Sequence, residues 1–242
     1  MSIRRMTKTR KKQHTREANQ ILNVKFGMKQ IAPITDNQDL LFEAYEEGKN
    51  ILAIGSAGTG KTFTALYLAL KDVMANNDYK EIIIVRSSVQ SREQGHLPGD
   101  AKEKMAYFES PYADIVNELF GRGDAYEIMK QKNTIRFMST SFIRGLTFDD
   151  ALIIVDECQS CTYHELDSII TRVGEGSRII FCGDVKQDDL KTGGRGRNDV
   201  SGLKDFVKVL NNMSSVQTIE FTINDVVRSG LVKEYLIAKE AA

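Results

Sequence analysis

A short stretch constrains this chain more than any other: Gly55-Ser56-Ala57-Gly58-Thr59-Gly60-Lys61-Thr62, set between an apolar run, Ile51–Ile54, and a helical pattern, Lys61–Met74. Glycines at 55, 58 and 60 let the backbone curl so that successive N–H groups face inward around an anion; side chains there would block the approach. The helix that begins at Gly60 adds the positive end of its dipole. The pattern fits G-x-x-x-x-G-K-[ST], in which Lys61 reaches the β- and γ-phosphates of a triphosphate and the Thr62 hydroxyl holds Mg²⁺. A Gly-rich turn is the competing reading. The strand entering the loop and the amphipathic helix leaving it weigh against that.

Further apolar runs of strand length occur at Ile82–Val85, Ile135–Met138, Leu152–Val155, Ile179–Cys182 and Val216–Phe221. Several lack alternation, as expected of strands buried on both faces of a parallel sheet. Helical patterns lie between them, at Lys61–Met74, Tyr107–Phe120 and Leu166–Val173, with a last helix over about Val226–Ala238. Strands alternating with helices predict a three-layer α/β fold with a mostly parallel central sheet, and the loop at 55–62 makes it a P-loop NTPase domain. Residues 31–242 form that domain, with a helical insertion at about 91–133 over the nucleotide edge of the sheet. Residues 1–30 read as a basic, flexible N-terminal arm.

A phosphate cradle needs an acid on a neighbouring strand to hold the metal. Leu152–Val155 runs into Asp156 and Glu157. Asp156 suits the Mg²⁺ shell and Glu157 can take a proton from the attacking water. Neighbouring residues on a strand face opposite ways, so the strand must end there for both to act. Ile179–Cys182 runs into Gly183-Asp184-Val185-Lys186-Gln187. If this strand lies between the phosphate-loop strand and the acid strand, Gln187 overhangs the γ-phosphate, where an amide can both donate and accept. Upstream, the Gln38 amide could pair with adenine N6 and N7, a geometry guanine rejects; an ordinary surface residue is the alternative.

The formal net charge of zero conceals a split: residues 1–16 hold seven Lys or Arg and no acid, and the remainder has a net charge of −7. Such an arm suggests a polyanion contact, with a solvated tail or a targeting segment as the other readings. No apolar run approaches the roughly 20 residues needed to cross a bilayer, and a cytoplasmic location with no membrane contact is expected. Cys158, Cys161 and Cys182 are too few for a disulfide framework and suggest reduced thiols. Cys158-x-x-Cys161-x-x-His164 has a spacing that could hold zinc, but buried, inert thiols are the preferred reading. His14 and His96 read as surface residues.

Taken in order, Gln38, the loop at 55–62, Val85-Arg86-Ser87-Ser88, Gly95-His96-Leu97-Pro98-Gly99-Asp100, Phe142-Ile143-Arg144-Gly145-Leu146-Thr147, the stretch Ile153–Ser160, Gly183–Leu190, Ser201-Gly202-Leu203 and Asp225-Val226-Val227-Arg228-Ser229 resemble the PhoH-like proteins over roughly residues 30–238. His96, where the family usually has an aromatic, and Cys158, where it has alanine, depart from the pattern. The resemblance implies kinship with the first RecA-like domain of superfamily-one helicases, ATP binding, a bacterial or phage origin and a link to phosphate starvation. It gives Lys61, Thr62, Asp156 and Glu157 the roles derived above, Gln187 the γ-phosphate contact, and Arg228 the role of candidate arginine finger.

These readings combine into an ATPase with ATP and Mg²⁺ as cofactors. Catalytic candidates are Lys61, Glu157, Gln187 and Arg228; ATP-binding candidates are Gln38, Gly55, Ser56, Ala57, Gly58, Thr59, Gly60, Lys61 and Thr62; Thr62 and Asp156 are the metal ligands. Arg86, Arg195 and Arg197 are candidates for contact with single-stranded RNA or DNA, and hydrolysis would drive helicase-like remodelling. An ATP-dependent switch or assembly module without unwinding is the alternative. A small-molecule kinase is disfavoured, since Glu157 stands where water would be activated. One RecA-like domain lacks the second domain that completes such sites, so a head-to-tail homo-oligomeric ring, with six protomers as the candidate number, would supply an arginine in trans from Arg228, Arg144, Arg195 or Arg197.

Overall fold

The computed structural model describes residues 27–75, 79–87, 101–184 and 202–241. In chain order the elements are α1 (Asp36–Glu46), β1 (Asn50–Gly55), α2 (Lys61–Met74), β2 (Glu81–Arg86), α3 (Ala101–Phe120), α4 (Ala125–Gln131), β3 (Ile135–Ser139), β4 (Ala151–Asp156), α5 (Tyr163–Ile170), β5 (Arg178–Gly183), α6 (Leu203–Leu210), β6 (Val216–Phe221) and α7 (Gly230–Ala241). The six strands form one sheet in the order β3-β2-β4-β5-β1-β6, and every pairing is parallel.

The lack of alternation in the central strands follows from burial on both faces. Ile51, Ala53, Ile82, Ile84, Leu152, Ile154, Ile180 and Cys182 point to one side, where they meet α1, α2, α3 and α4. Leu52, Ile54, Ile83, Val85, Ile153, Val155, Ile179 and Phe181 point to the other, against Leu166 and Ile169 of α5 and Leu203, Phe206 and Leu210 of α6. Edge strand β6 alternates instead, with Ile219 and Phe221 buried and Glu220 exposed. This is the three-layer α/β arrangement expected, with a sheet wholly rather than mostly parallel among the described residues.

Helix α2 is covered almost all round, since α1 and α3 close over the side the sheet leaves free; Ala65 through Leu70 are all buried. Three helices differ from their sequence-based bounds. α3 begins at Ala101 rather than Tyr107. α5 begins at Tyr163 rather than Leu166, because Thr162 and Glu165 form a capping box that starts the helix there. α7 begins at Gly230 rather than Val226, because Ile223–Asp225 turns as a separate 3₁₀ segment and Val226 is extended.

Strand β5 lies between β1 and β4. The phosphate-loop strand and the acid strand are therefore separated by one strand, and all three end along the same edge, where a parallel sheet gathers its C-terminal ends.

Candidate nucleotide site

At the end of β1 the chain turns through Gly55 (φ 129°), Gly58 (φ 76°) and Gly60 (φ 81°) before α2 begins. Gly55 has no alternative here, for a Cβ would lie 1.8 Å from the Phe221 carbonyl oxygen on the neighbouring strand. Lys61 Nζ donates to the Gly55 carbonyl at 2.9 Å, the Ser56 carbonyl at 2.7 Å and Thr59 Oγ1 at 3.2 Å, holding the curl closed. Burial pulls the Lys61 ammonium below its ordinary pKa, against the opposing pull of Cys182 and of the carboxylates of Asp184, Glu157 and Asp156.

The acid pair reaches this loop across β5. Thr62 Oγ1 donates to Asp156 Oδ1 at 2.7 Å. The other oxygen, Oδ2, accepts the Tyr112 phenol of α3 at 2.8 Å. Strand β4 ends at Asp156, and Glu157 takes a left-handed conformation (φ 51°, ψ 41°) that breaks the strand alternation. Such a conformation is uncommon outside glycine and costs of order 1–3 kcal/mol. It resolves the problem of two adjacent acids facing one site. Burial, then the negative charge of Asp156, pushes the Glu157 carboxyl above the usual range, while a hydrogen bond from Gln159 and the positive charges of Arg86 and Lys61 oppose the rise.

Gln159 is 2% exposed and works at both ends. Its Nε2 donates to Glu157 Oε2, and its Oε1 accepts from the Asp184 backbone N–H at 3.0 Å. The side chain thus ties the proton-accepting candidate to the end of β5. Sequence reasoning missed Gln159 and Tyr112, since neither stands in a spacing that announces a partner far along the chain.

Gln38 is 5% exposed. Its Nε2 donates to the Thr59 carbonyl at 3.0 Å and its Oε1 accepts from the Ile34 backbone at 3.0 Å. One N–H and one lone pair of the amide remain, the pair that an adenine edge takes. The site is a cleft of about 930 Å³ whose lining includes Gln38, Gly58–Thr62, Asp156, Glu157, Asp184 and Arg228. Ile31, Ile34 and Val227 give it an apolar side.

Arg228 stands over its own chain's loop. The Val227 N–H donates to the Gly58 carbonyl at 3.0 Å, and a Cβ at Gly58 would lie 2.8 Å from Arg228 Cγ. Arg228, the candidate arginine finger, thus lies against the loop of its own chain and lines the same cleft. Asp225 sets that segment: its Oδ2 accepts from Asn37 Nδ2 at 2.8 Å and from the Thr222 backbone at 2.8 Å.

Arg86 ends β2 in register with Asp156, its guanidinium 5.4 Å from the Phe108 ring centroid. It thus stands beside the acid pair. Arg144 is exposed and its Nη2 lies 2.9 Å from His164 Nε2. Gln187, Arg195, Arg197 and His96 lie outside the described residues. Cys158, Cys161 and Cys182 are all buried, and burial pushes each thiol up from its ordinary pKa, which disfavours the reactive thiolate. Among the described residues no group of three or more His, Cys, Asp or Glu is placed to hold a metal. Mg²⁺ does not require one, because it binds through one or two carboxylates with phosphates and waters. The adjoining oxygens of Thr62 and Asp156 fit that donor set.

Among the described residues no helix is long and apolar enough to cross a membrane. The family model of PhoH-like proteins matches residues 30–240. A PhoH-like protein of Bacillus subtilis is 36% identical over 189 residues, which is 78% of this chain and 57% of that protein. One from Mycobacterium leprae is 33% identical over 211 residues, 87% of this chain and 58% of that protein. The chain thus spans less than two thirds of these relatives' length. The large terminase of a thermophilic bacteriophage, solved with ADP, is similar at a TM-score of 0.49 and 13% identity, over 84% of this chain and 49% of that one, a likeness too loose to bear on function. With a matching family model over nearly its whole length and relatives above 30% identity, the chain belongs to the PhoH-like protein family.

Proposed function

We propose that this chain binds ATP with Mg²⁺ in the cleft above β1, β5 and β4, hydrolyses it, and couples turnover to contact with single-stranded RNA or DNA. One observation carries the hydrolytic reading: the Thr62 hydroxyl meets Asp156 at 2.7 Å across an intervening strand, with Lys61 and Glu157 lining the same cleft. Side chains more than ninety residues apart along the chain converge where a triphosphate on the loop amides would end.

In this reading the loop N–H groups and Lys61 hold the β- and γ-phosphates, Lys61 exchanging its bonds to Gly55 and Ser56 for phosphate oxygens. Thr62 and Asp156 would hold Mg²⁺, which neutralises charge on the β- and γ-oxygens. Gln38, with Ile34 and Val227 beside it, receives the adenine. Glu157, held by Gln159, accepts the proton of the attacking water, and its raised pKa brings it closer to that of an effective base near neutral pH. Arg228 supplies positive charge in cis. Gln187 is proposed to contact the γ-phosphate.

The polynucleotide part rests on the basic run at residues 1–16 and on Arg86, Arg195 and Arg197. A ring of protomers is a further proposal; with Arg228 in cis, the arginine it would lend is Arg144, Arg195 or Arg197.

The test measures ATP binding and turnover with and without single-stranded RNA and DNA, for the wild type, Lys61→Ala and Glu157→Gln. Loss of nucleotide retention in Lys61→Ala, with retention but no turnover in Glu157→Gln, is expected. Polynucleotide stimulation supports the coupling. Tight binding without turnover in the wild type would favour a switch instead.

A further inference from the structure

Asp156 is 7% exposed and both its oxygens are engaged, one by Thr62 and the other by Tyr112. Tyr112 is 1% exposed, sits in the interior of α3, and packs its ring at a tilt, 5.6 Å from that of Phe137 on β3. The ring is thus clamped by its neighbours, and its hydroxyl is aimed at a single acceptor. Four residues earlier on the same helix, Phe108 lies under the Arg86 guanidinium. Ile115 and Glu118, farther along α3, line the cleft. One face of α3 therefore forms a wall of the site and touches its acid.

We propose that Tyr112 is a positioning residue for the metal: its phenol fixes Asp156 Oδ2 so that Oδ1 stays aimed at the Thr62 hydroxyl, where the cation would be held. The inference rests on the nucleotide and metal reading of the cleft. A carboxylate held by one oxygen alone can rotate about its last bond; with Oδ2 pinned, that rotation is lost before any ligand arrives. A phenol also withdraws a little negative charge from the carboxylate, which opposes metal binding. Orientation is the larger effect, because outer-shell partners of metal ligands typically contribute 10–100-fold in affinity. Phe108 and Tyr112 lie four apart, so a shift of α3 along its axis would disturb Arg86 and Asp156 together.

The experiment uses Mn²⁺ as the spectroscopic probe, titrated into the ADP-bound protein and followed by electron paramagnetic resonance. ADP affinity is measured separately in EDTA. Tyr112→Phe keeps the ring and its contact with Phe137 and removes only the hydroxyl. The expected result is Mn²⁺ affinity lowered about 10–100-fold with metal-free ADP affinity within about twofold of the wild type. Mn²⁺ affinity unchanged within about twofold overturns the inference, and so does equal loss of metal-free ADP binding, which would mark a general packing defect. A wild type that holds no ADP either with Mg²⁺ or in EDTA defeats the underlying reading instead. A second measurement needs no substitution. With ¹³Cζ-labelled tyrosine, one signal of the wild type should shift when Mg²⁺ joins ADP; no moving signal overturns the proposal.

Discussion

The stem of Arg228 rests on Gly58: a Cβ there would come within 2.8 Å of Arg228 Cγ, and the neighbouring Val227 N–H is bonded to the Gly58 carbonyl. The segment after β6 thus closes over the phosphate loop of its own chain. A mixing experiment tests the consequence. Lys61→Ala and Arg228→Ala should each lose turnover, and an equimolar mixture should stay inactive, because neither protomer then has both groups in one cleft. Recovery of turnover on mixing would mean that Arg228 acts across an interface.

Gly55 and Gly58 should respond differently to alanine. At Gly55 the new methyl meets backbone, the Phe221 carbonyl, and β1 and β6 must separate for it to fit. At Gly58 it meets a flexible side chain, so the expected cost is the left-handed strain of about 1–2 kcal/mol. Denaturant unfolding should find Gly55→Ala much the more damaged, with Gly58→Ala folded but slow in turnover through a displaced Arg228. Equal stabilities would contradict the close approach at Phe221.

The acid limb of the pH–rate profile should report Glu157. Its carboxyl is raised by burial and by Asp156, so the base form, and with it turnover, is lost as pH falls through a value above the ordinary carboxylate range. Gln159 opposes that rise with its hydrogen bond. Gln159→Leu should therefore move the limb to higher pH and lower turnover at neutral pH. Glu157→Gln should lower turnover about 10²–10⁴-fold without weakening ATP binding. A limb that stays in place in Gln159→Leu would separate the amide from the base.

Asp225 links acid stability to the same segment. Burial raises its carboxyl, but bonds from Thr222, Asn37 and Thr35 outweigh it and hold the pKa below the ordinary value. A depressed carboxyl contributes stability above its unfolded pKa and loses it as pH falls through the lower folded value. Asp225→Asn cannot accept all these bonds and turns an N–H₂ toward donors. It should cost about 1–3 kcal/mol at neutral pH, and its stability should fall less steeply than the wild type's below about pH 4. Parallel acid-unfolding curves would exclude this role.

All six strands and the phosphate loop were legible in the sequence because their signals are local: short apolar runs, three glycines at fixed spacing, two acids at the end of a run. Helix α1 was not, since Gln38, a polar residue, takes one of its buried positions beside Leu41, Ala44 and Tyr45 and spoils the apolar stripe. Helix α4 has seven residues, too short for periodicity to stand out.

What tertiary structure alone decided is which side chains meet. Tyr112 finds Asp156 forty-four positions away, and Gln159 spans from Glu157 to the end of β5. The left-handed turn at Glu157 and the placement of Arg228 against its own loop likewise depend on how β4, β5 and β6 end side by side. Hydrophobic periodicity records whether a residue faces the core. It carries nothing about which partner lies across the sheet, because strand order is set by packing between elements distant in the chain.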